Sequence, residues 1–167
     1  SLTLKKSDMA PIAVMKLSNL MRQITSDTGE DYVPFEEEEK FIVDYVELQK
    51  LRLTEKTRID IHISKNYDHL KIAPRLLIPF IENAFKYGVS NRNESDIVIR
   101  INFENDYMIF YISNTIHSGS TDSMEESSGI GIENTKRRLD LLYEGRYDLK
   151  IDNTSESFTV TLKIKLI

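Results

Sequence analysis

"LIPFIENAFKYGVS", residues 77–90, opens on apolar side chains and closes on an acid, an amide, a base and a glycine. A helix that only filled a core would alternate apolar and solvated faces. Here Asn83 and Lys86 stand three apart and Asn83 and Tyr87 four apart, so on a helix the three share a face. Glu82 lies about 100° round the helix, beside them. A carboxylate and an amide oxygen suit Mg2+, directly or through its waters, and a lysine beside them suits phosphate. The competing reading is a plain solvated helix end.

The flanking residues extend this helix to 74–88, opened by Pro74 at its first position and bent by Pro79 within it. Upstream, "RIDIHIS" (58–64) alternates Ile59, Ile61 and Ile63 with polar residues, which predicts a half-buried strand with His62 on the solvated side. Downstream, 97–103 and 107–113 are strands of the same kind, joined by a hairpin turn at Glu104, Asn105 and Asp106. Residues 147–152 and 158–166 form a closing hairpin. "PFEEEEKFIVDYVELQKLRL" (34–53) is a helix whose acids, Glu36 to Glu39, complement the dipole of its first turn rather than build a metal site.

Residues 8–25 carry apolar groups at Ile12, Met15, Leu20 and Ile24, widened by Val14, Leu17 and Met21. They predict an amphipathic helix capped by Asp8 with Pro11 in its first turn. "SDTGED" (26–31) reads as a linker that makes this helix an appendage. Alternating strands need cover on one face only. The expected fold is therefore α/β (α+β), a two-layer sandwich of a mixed, largely antiparallel sheet with helices on one face, preceded by an extra helix.

Composition narrows the chemistry. A net charge of −5 gives no global basic field for nucleic acid or anionic lipid. Zero cysteines exclude disulfides and thiolate metal sites, and fit a reducing cytoplasm. No P-loop, H-E-x-x-H or G-x-S-x-G pattern occurs. The second candidate feature is Gly129-Ile130-Gly131, expected where a polar, aperiodic loop (115–128) meets a helix (129–145) stopped by Gly145. Glycines at such a junction let backbone N–H groups approach phosphate at a helix N-terminus.

The order of these features, with these residues, resembles the ATP-binding catalytic domain of sensor histidine kinases, the Bergerat-type (GHKL) ATPase fold. "IENAFKYG" is similar to the family's N-box and "SSGIGIENTKRRLDLLY" to its G2 box and following helix. "FEEEEKFIVDYVELQKLRL" and "KIAPRLLIPFIENAFKYG" resemble the autolysin-sensor branch. The resemblance implies ATP and Mg2+ as cofactors. Asn83 would coordinate the metal, Glu82 would orient metal-bound water or act as base, and Lys86 would meet phosphate. Gly129 and Gly131 would shape the lid, with 115–128 as the lid itself. It further implies residues 1–27 as the remnant of a helical dimerisation and phosphoacceptor hairpin, and 28–167 as the catalytic domain. A homodimer of the full-length protein follows, as does a response regulator of LytTR type. The domain would be cytoplasmic, with any membrane contact through segments of a longer bacterial inner-membrane protein and no direct contact with nucleic acid.

Three departures bear on this. Tyr87 stands where the N-box commonly has histidine, and cannot carry charge near neutral pH. The Asp-x-Gly-x-Gly that reads adenine is absent, and Asn114 in "SNTIHSG" is its best positional match. An amide in place of a carboxylate costs about 1 kcal/mol, the gap between neutral and charged hydrogen bonds. Finally, His62, His69 and His117 lack the His-Pro-Phe context of a phosphoacceptor. Residues 1–6 resemble the tail of the helix that would carry it, so the chain is expected not to phosphorylate itself. Two other readings stay open: a degenerate signalling and dimerisation module, and an ATPase or serine-directed kinase of the same fold.

Overall fold

The computed structural model describes residues 2–25, 29–117 and 121–167, with side chains described outside 2–10, 23–25 and 121–130. The elements run α1 (Leu2–Thr25), β1 (Val33–Pro34), α2 (Phe35–Lys50), β2 (Thr57–Ile63), β3 (Lys71–Ile72), α3 (Ile78–Gly88), β4 (Ser95–Glu104) and β5 (Tyr107–Thr115). Then follow α4 (Thr121–Leu142), β6 (Tyr147–Asn153) and β7 (Ser157–Lys165). Five strands form one sheet in the order β2-β4-β5-β7-β6. β2 pairs with β4 in parallel and every other neighbour is antiparallel.

Period-two patterning decides the faces. Ile97, Ile99 and Ile101 of β4, Phe110 of β5 and Leu162 of β7 are fully buried, while their neighbours along each strand stay partly exposed. The helices cover that buried face. Phe35 at the start of α2 meets Phe103 edge-on at 4.7 Å, and Phe80 of α3 lies 6.0 Å from Phe110. Asn105 takes a left-handed φ of 54° in the β4–β5 turn, a conformation Asn tolerates, and Gly145 does so at 67° after α4. The expected mixed, largely antiparallel two-layer architecture is the one observed, and His62 is exposed as the alternation requires.

Several boundaries differ from the sequence reading. α1 is one continuous helix, so Asp8 is interior rather than a cap, residues 2–6 are not a separate helix, and Pro11 lies within the body. A proline removes one ladder bond, and the flanking Lys, Met and Ala are good helix formers. α3 begins at Ile78, not Pro74, so Pro79 occupies the first turn and starts the helix instead of bending it. The short antiparallel pair β1–β3 was not expected; two residues carry no periodicity to read. The linker expected over 26–31 has its first three residues outside the described ones.

The acidic run divides. Glu36 and Glu37 are exposed, but Glu38 and Glu39 are 2% and 8% exposed. Phe35, Glu38, Glu39, Ile42 and Val46 recur at helical spacing and form the buried face of α2. Burial of two carboxylates requires partners. Glu39 takes hydrogen bonds from Lys65 Nζ and the Tyr67 hydroxyl, and Glu38 binds backbone N–H groups.

Candidate functional site

α3 carries the site, and its sequence divides it lengthwise. Ile78, Phe80, Ile81, Ala84 and Phe85 fix the helix on the sheet, leaving Glu82 and Lys86 exposed and Asn83 half-buried. Tyr87 is 9% exposed, and Lys86 Nζ lies over its ring at 4.9 Å. Tyr87 thus forms an apolar floor under the lysine, a cation–π contact that a protonated histidine would disfavour.

The Asn83 side-chain nitrogen is buried and has no hydrogen-bond partner. A buried amide group left unpaired costs about 1–3 kcal/mol. Exchanging its nitrogen and oxygen, which are alike in shape, would present an oxygen at the same place. Burial raises the pKa of Glu82, which holds its carboxyl closer to a poised proton acceptor than a surface glutamate is. Tyr45 of α2 stands nearby. Burial first, and then the charge of Glu82, push its hydroxyl up to about 12, so it stays a neutral donor.

Gly88 ends the helix against β5. A Cβ there would come within 2.5 Å of Asn114 Cβ and 2.9 Å of its nitrogen, so only glycine permits this approach. Asn114 is 3% exposed, continues the inward row of Met108, Phe110 and Ile112, and donates from its side-chain nitrogen to Thr115 O at 3.0 Å. The structure therefore brings Asn114 to the same end of α3 as Glu82, Asn83, Lys86 and Tyr87. Sequence reading missed Gly88 and Tyr45. A glycine after a helix was visible, but its contact with position 114 is a tertiary fact.

The two other glycines are placed differently from expectation. Helix α4 begins at Thr121, so Gly129 and Gly131 lie within it and not at a loop-to-helix junction, and the expected lid (115–128) is helical from Thr121 onward. The sequence over 121–128 is polar and has no apolar period, so it did not separate helix from loop. Residues 118–120 of the expected lid lie outside the described residues. A Cβ on Gly131 would be 3.9 Å from Pro79 Cβ, an ordinary contact that sets α4 beside the first turn of α3. The Gly131 carbonyl accepts from the Thr135 hydroxyl at 2.9 Å.

The class of protein follows from this geometry and from comparison with known proteins. The structure superposes with a TM-score of 0.60 on the histidine kinase domain of a blue-light activated histidine kinase from Erythrobacter litoralis, at 8% identity, covering 98% of this chain and 81% of that one. The Acinetobacter baumannii histidine kinase AdeS gives 0.57 at 15% identity with the same coverages. The fold is that of histidine kinase catalytic domains. The family model described as "Histidine kinase" matches residues 1–57. The sensor protein LytS of Streptococcus mutans is 27% identical over 169 residues, 95% of this chain and 29% of its own length.

Over most of its length the chain is similar, at 24–27% identity, to proteins named sensor protein LytS. It spans less than a third of the length of the curated relatives it matches. No described helix is long and apolar enough to cross a membrane.

Proposed function

We propose that the chain binds ATP with Mg2+ at the C-terminal end of α3, and that within a longer protein it delivers the γ-phosphoryl group to a histidine of that protein. The observation that carries this reading is the unpaired, buried amide of Asn83, set between Glu82 and Lys86. Among the described residues no group of three or more His, Cys, Asp or Glu stands together, so a metal here would take its other ligands from phosphate oxygens and water. Asn83 is the metal ligand, with its oxygen turned to the ion. Lys86 meets a phosphate oxygen, Glu82 orients metal-bound water or accepts a proton, and Tyr87 supports Lys86. Asn114 reads the adenine edge. Gly129 and Gly131, inside α4 in this state, belong to the segment that borders the nucleotide. When bound, Mg2+ neutralises charge on the phosphates.

The same reading assigns residues 1–27 to the remnant of a dimerisation and phosphoacceptor hairpin and 28–167 to the catalytic domain. It takes a response regulator of LytTR type as the partner that receives the phosphoryl group. Ile12, Val14, Met15, Leu17 and Met21 leave an exposed apolar surface on α1, which fits pairing with a second copy in the full-length protein. Attachment to a bacterial inner membrane belongs to segments outside this chain, and this chain alone does not label itself on histidine.

Calorimetric titration with ATP, with and without Mg2+, tests the reading. Binding that needs Mg2+ and is lost in Asn83→Ala supports it. No binding at millimolar ATP, a free energy of only about −4 kcal/mol, sinks it. That outcome would favour the degenerate signalling module, for which the uncharged Tyr87 and Asn114 speak.

A further inference from the structure

The turn that leads into α3 is held from two other helices. Arg75 takes a left-handed φ of 57°, strained for a residue with a Cβ. Its N–H donates to Glu38 Oε2 at 2.7 Å, and the Leu77 N–H donates to Glu38 Oε1 at 3.4 Å. Arg138 of α4 donates to the Pro74 carbonyl at 2.9 Å, and just past that helix the Tyr143 hydroxyl accepts the Ala73 N–H at 2.7 Å. Leu77 caps α3 without any side-chain bond of its own, so Glu38 supplies from α2 what the local sequence does not.

We propose that Glu38 is a positioning residue for the α3 site: its carboxyl fixes the strained turn at Arg75–Leu77 and thereby sets where Glu82 and Asn83 stand. That role rests on the nucleotide reading of α3. Asn83 lies six residues beyond Leu77, about 9 Å along the helix at 1.5 Å per residue, so a shift at the turn is carried rigidly to it. Burial raises the Glu38 carboxyl to about 7, against the pull of the two backbone N–H groups and of the Arg138 and Arg75 charges. Those arginines, one on α4 and one in the turn, are the charged groups that face it. Between 4.5 and about 7 the folded chain keeps a proton that the unfolded chain has released. Stability therefore falls as pH rises through that window, and Glu38→Gln removes the slope.

The test uses the chain without nucleotide, titrated by NMR from about pH 5 to about pH 9, spanning the carboxyl's ordinary and raised ranges. The Arg75 and Leu77 amide signals and the Asn83 side-chain amide are expected to move with one shared midpoint near neutrality, and to stop moving in Glu38→Gln. Arg138→Gln removes a charge that favours the carboxylate, and should raise that midpoint. An Asn83 amide that lacks this midpoint while Arg75 shows it, or Arg75 and Leu77 amides that keep it in Glu38→Gln, overturns the proposal, as does a midpoint indifferent to Arg138→Gln. Mg2+–ATP titration at pH 8 adds the functional arm. Glu38→Gln should bind several-fold more weakly while its thermal midpoint stays level or rises; affinity and midpoint falling together would mark Glu38 as merely structural. A wild-type chain that binds no ATP sinks the nucleotide reading alone, because the nucleotide-free titration still decides the role of Glu38.

Discussion

The two ends of α3 treat their polar groups in opposite ways. At the start, Ala73, Arg75 and Leu77 each have an N–H answered by a side chain, from Tyr143 just past α4 or Glu38 of α2, and the Pro74 carbonyl is answered by Arg138. At the far end, Asn83 keeps a buried amide nitrogen without a partner, and burial raises the pKa of Glu82. From Leu77 to Asn83, six residues on, the chain thus passes from paired groups to an unpaired one. Stability argues for the first arrangement, and a ligand would give a reason for the second.

Substitutions along the helix should separate the two ends. Phe80→Ala, at the anchored end, empties a site that is 1% exposed and should cost about 3–5 kcal/mol in denaturant unfolding. A loss well under that would mean the helix is not held as described. Gly88→Ala puts a methyl within 2.5 Å of Asn114 Cβ and should cost about 1–3 kcal/mol while weakening ATP binding. Asn83→Ala should leave stability level or raise it by about 0.5 kcal/mol, from better helix propensity and removal of an unpaired group. If that variant unfolds readily instead, the amide has a structural partner and the deficit is illusory. The smallest effect belongs to Glu82. Its raised pKa means that stability declines as pH rises above 4.5, and Glu82→Gln should flatten that decline in thermal melts while impairing function.

What could be read from the sequence follows the same division. The alternating isoleucines of β2 and β4, the hairpin at Asn105 and the placing of Asn83, Lys86 and Tyr87 on one helix are all local patterns, and each was legible. The start of α3 was not. Two prolines, Pro74 and Pro79, both suit a first helical turn, and the turn between them is bound by Glu38, far away in the chain. The acidic run misled because its dipole explanation was sufficient for Glu36 and Glu37. The spacing of Phe35, Glu38, Glu39, Ile42 and Val46 was the available signal that two acids turn inward. The helical stretch before Gly129 was hidden by small polar residues that read equally well as loop.

The parallel pairing of β2 with β4 bears on the order of folding. β4 and β5 are joined by a tight turn and pair along their whole length, whereas β2 reaches β4 only after the chain has closed over α3. Local pairings form before long closures because the entropy of the closure must be met first. The β4–β5 and β6–β7 hairpins should therefore form early, with α3 docking as β2 zips onto the edge. Pulsed hydrogen exchange during refolding would show it: protection at Ile101 and Phe110 preceding protection at Ile61. The part of the molecule that acts would then arrive only after the hairpin that supports it.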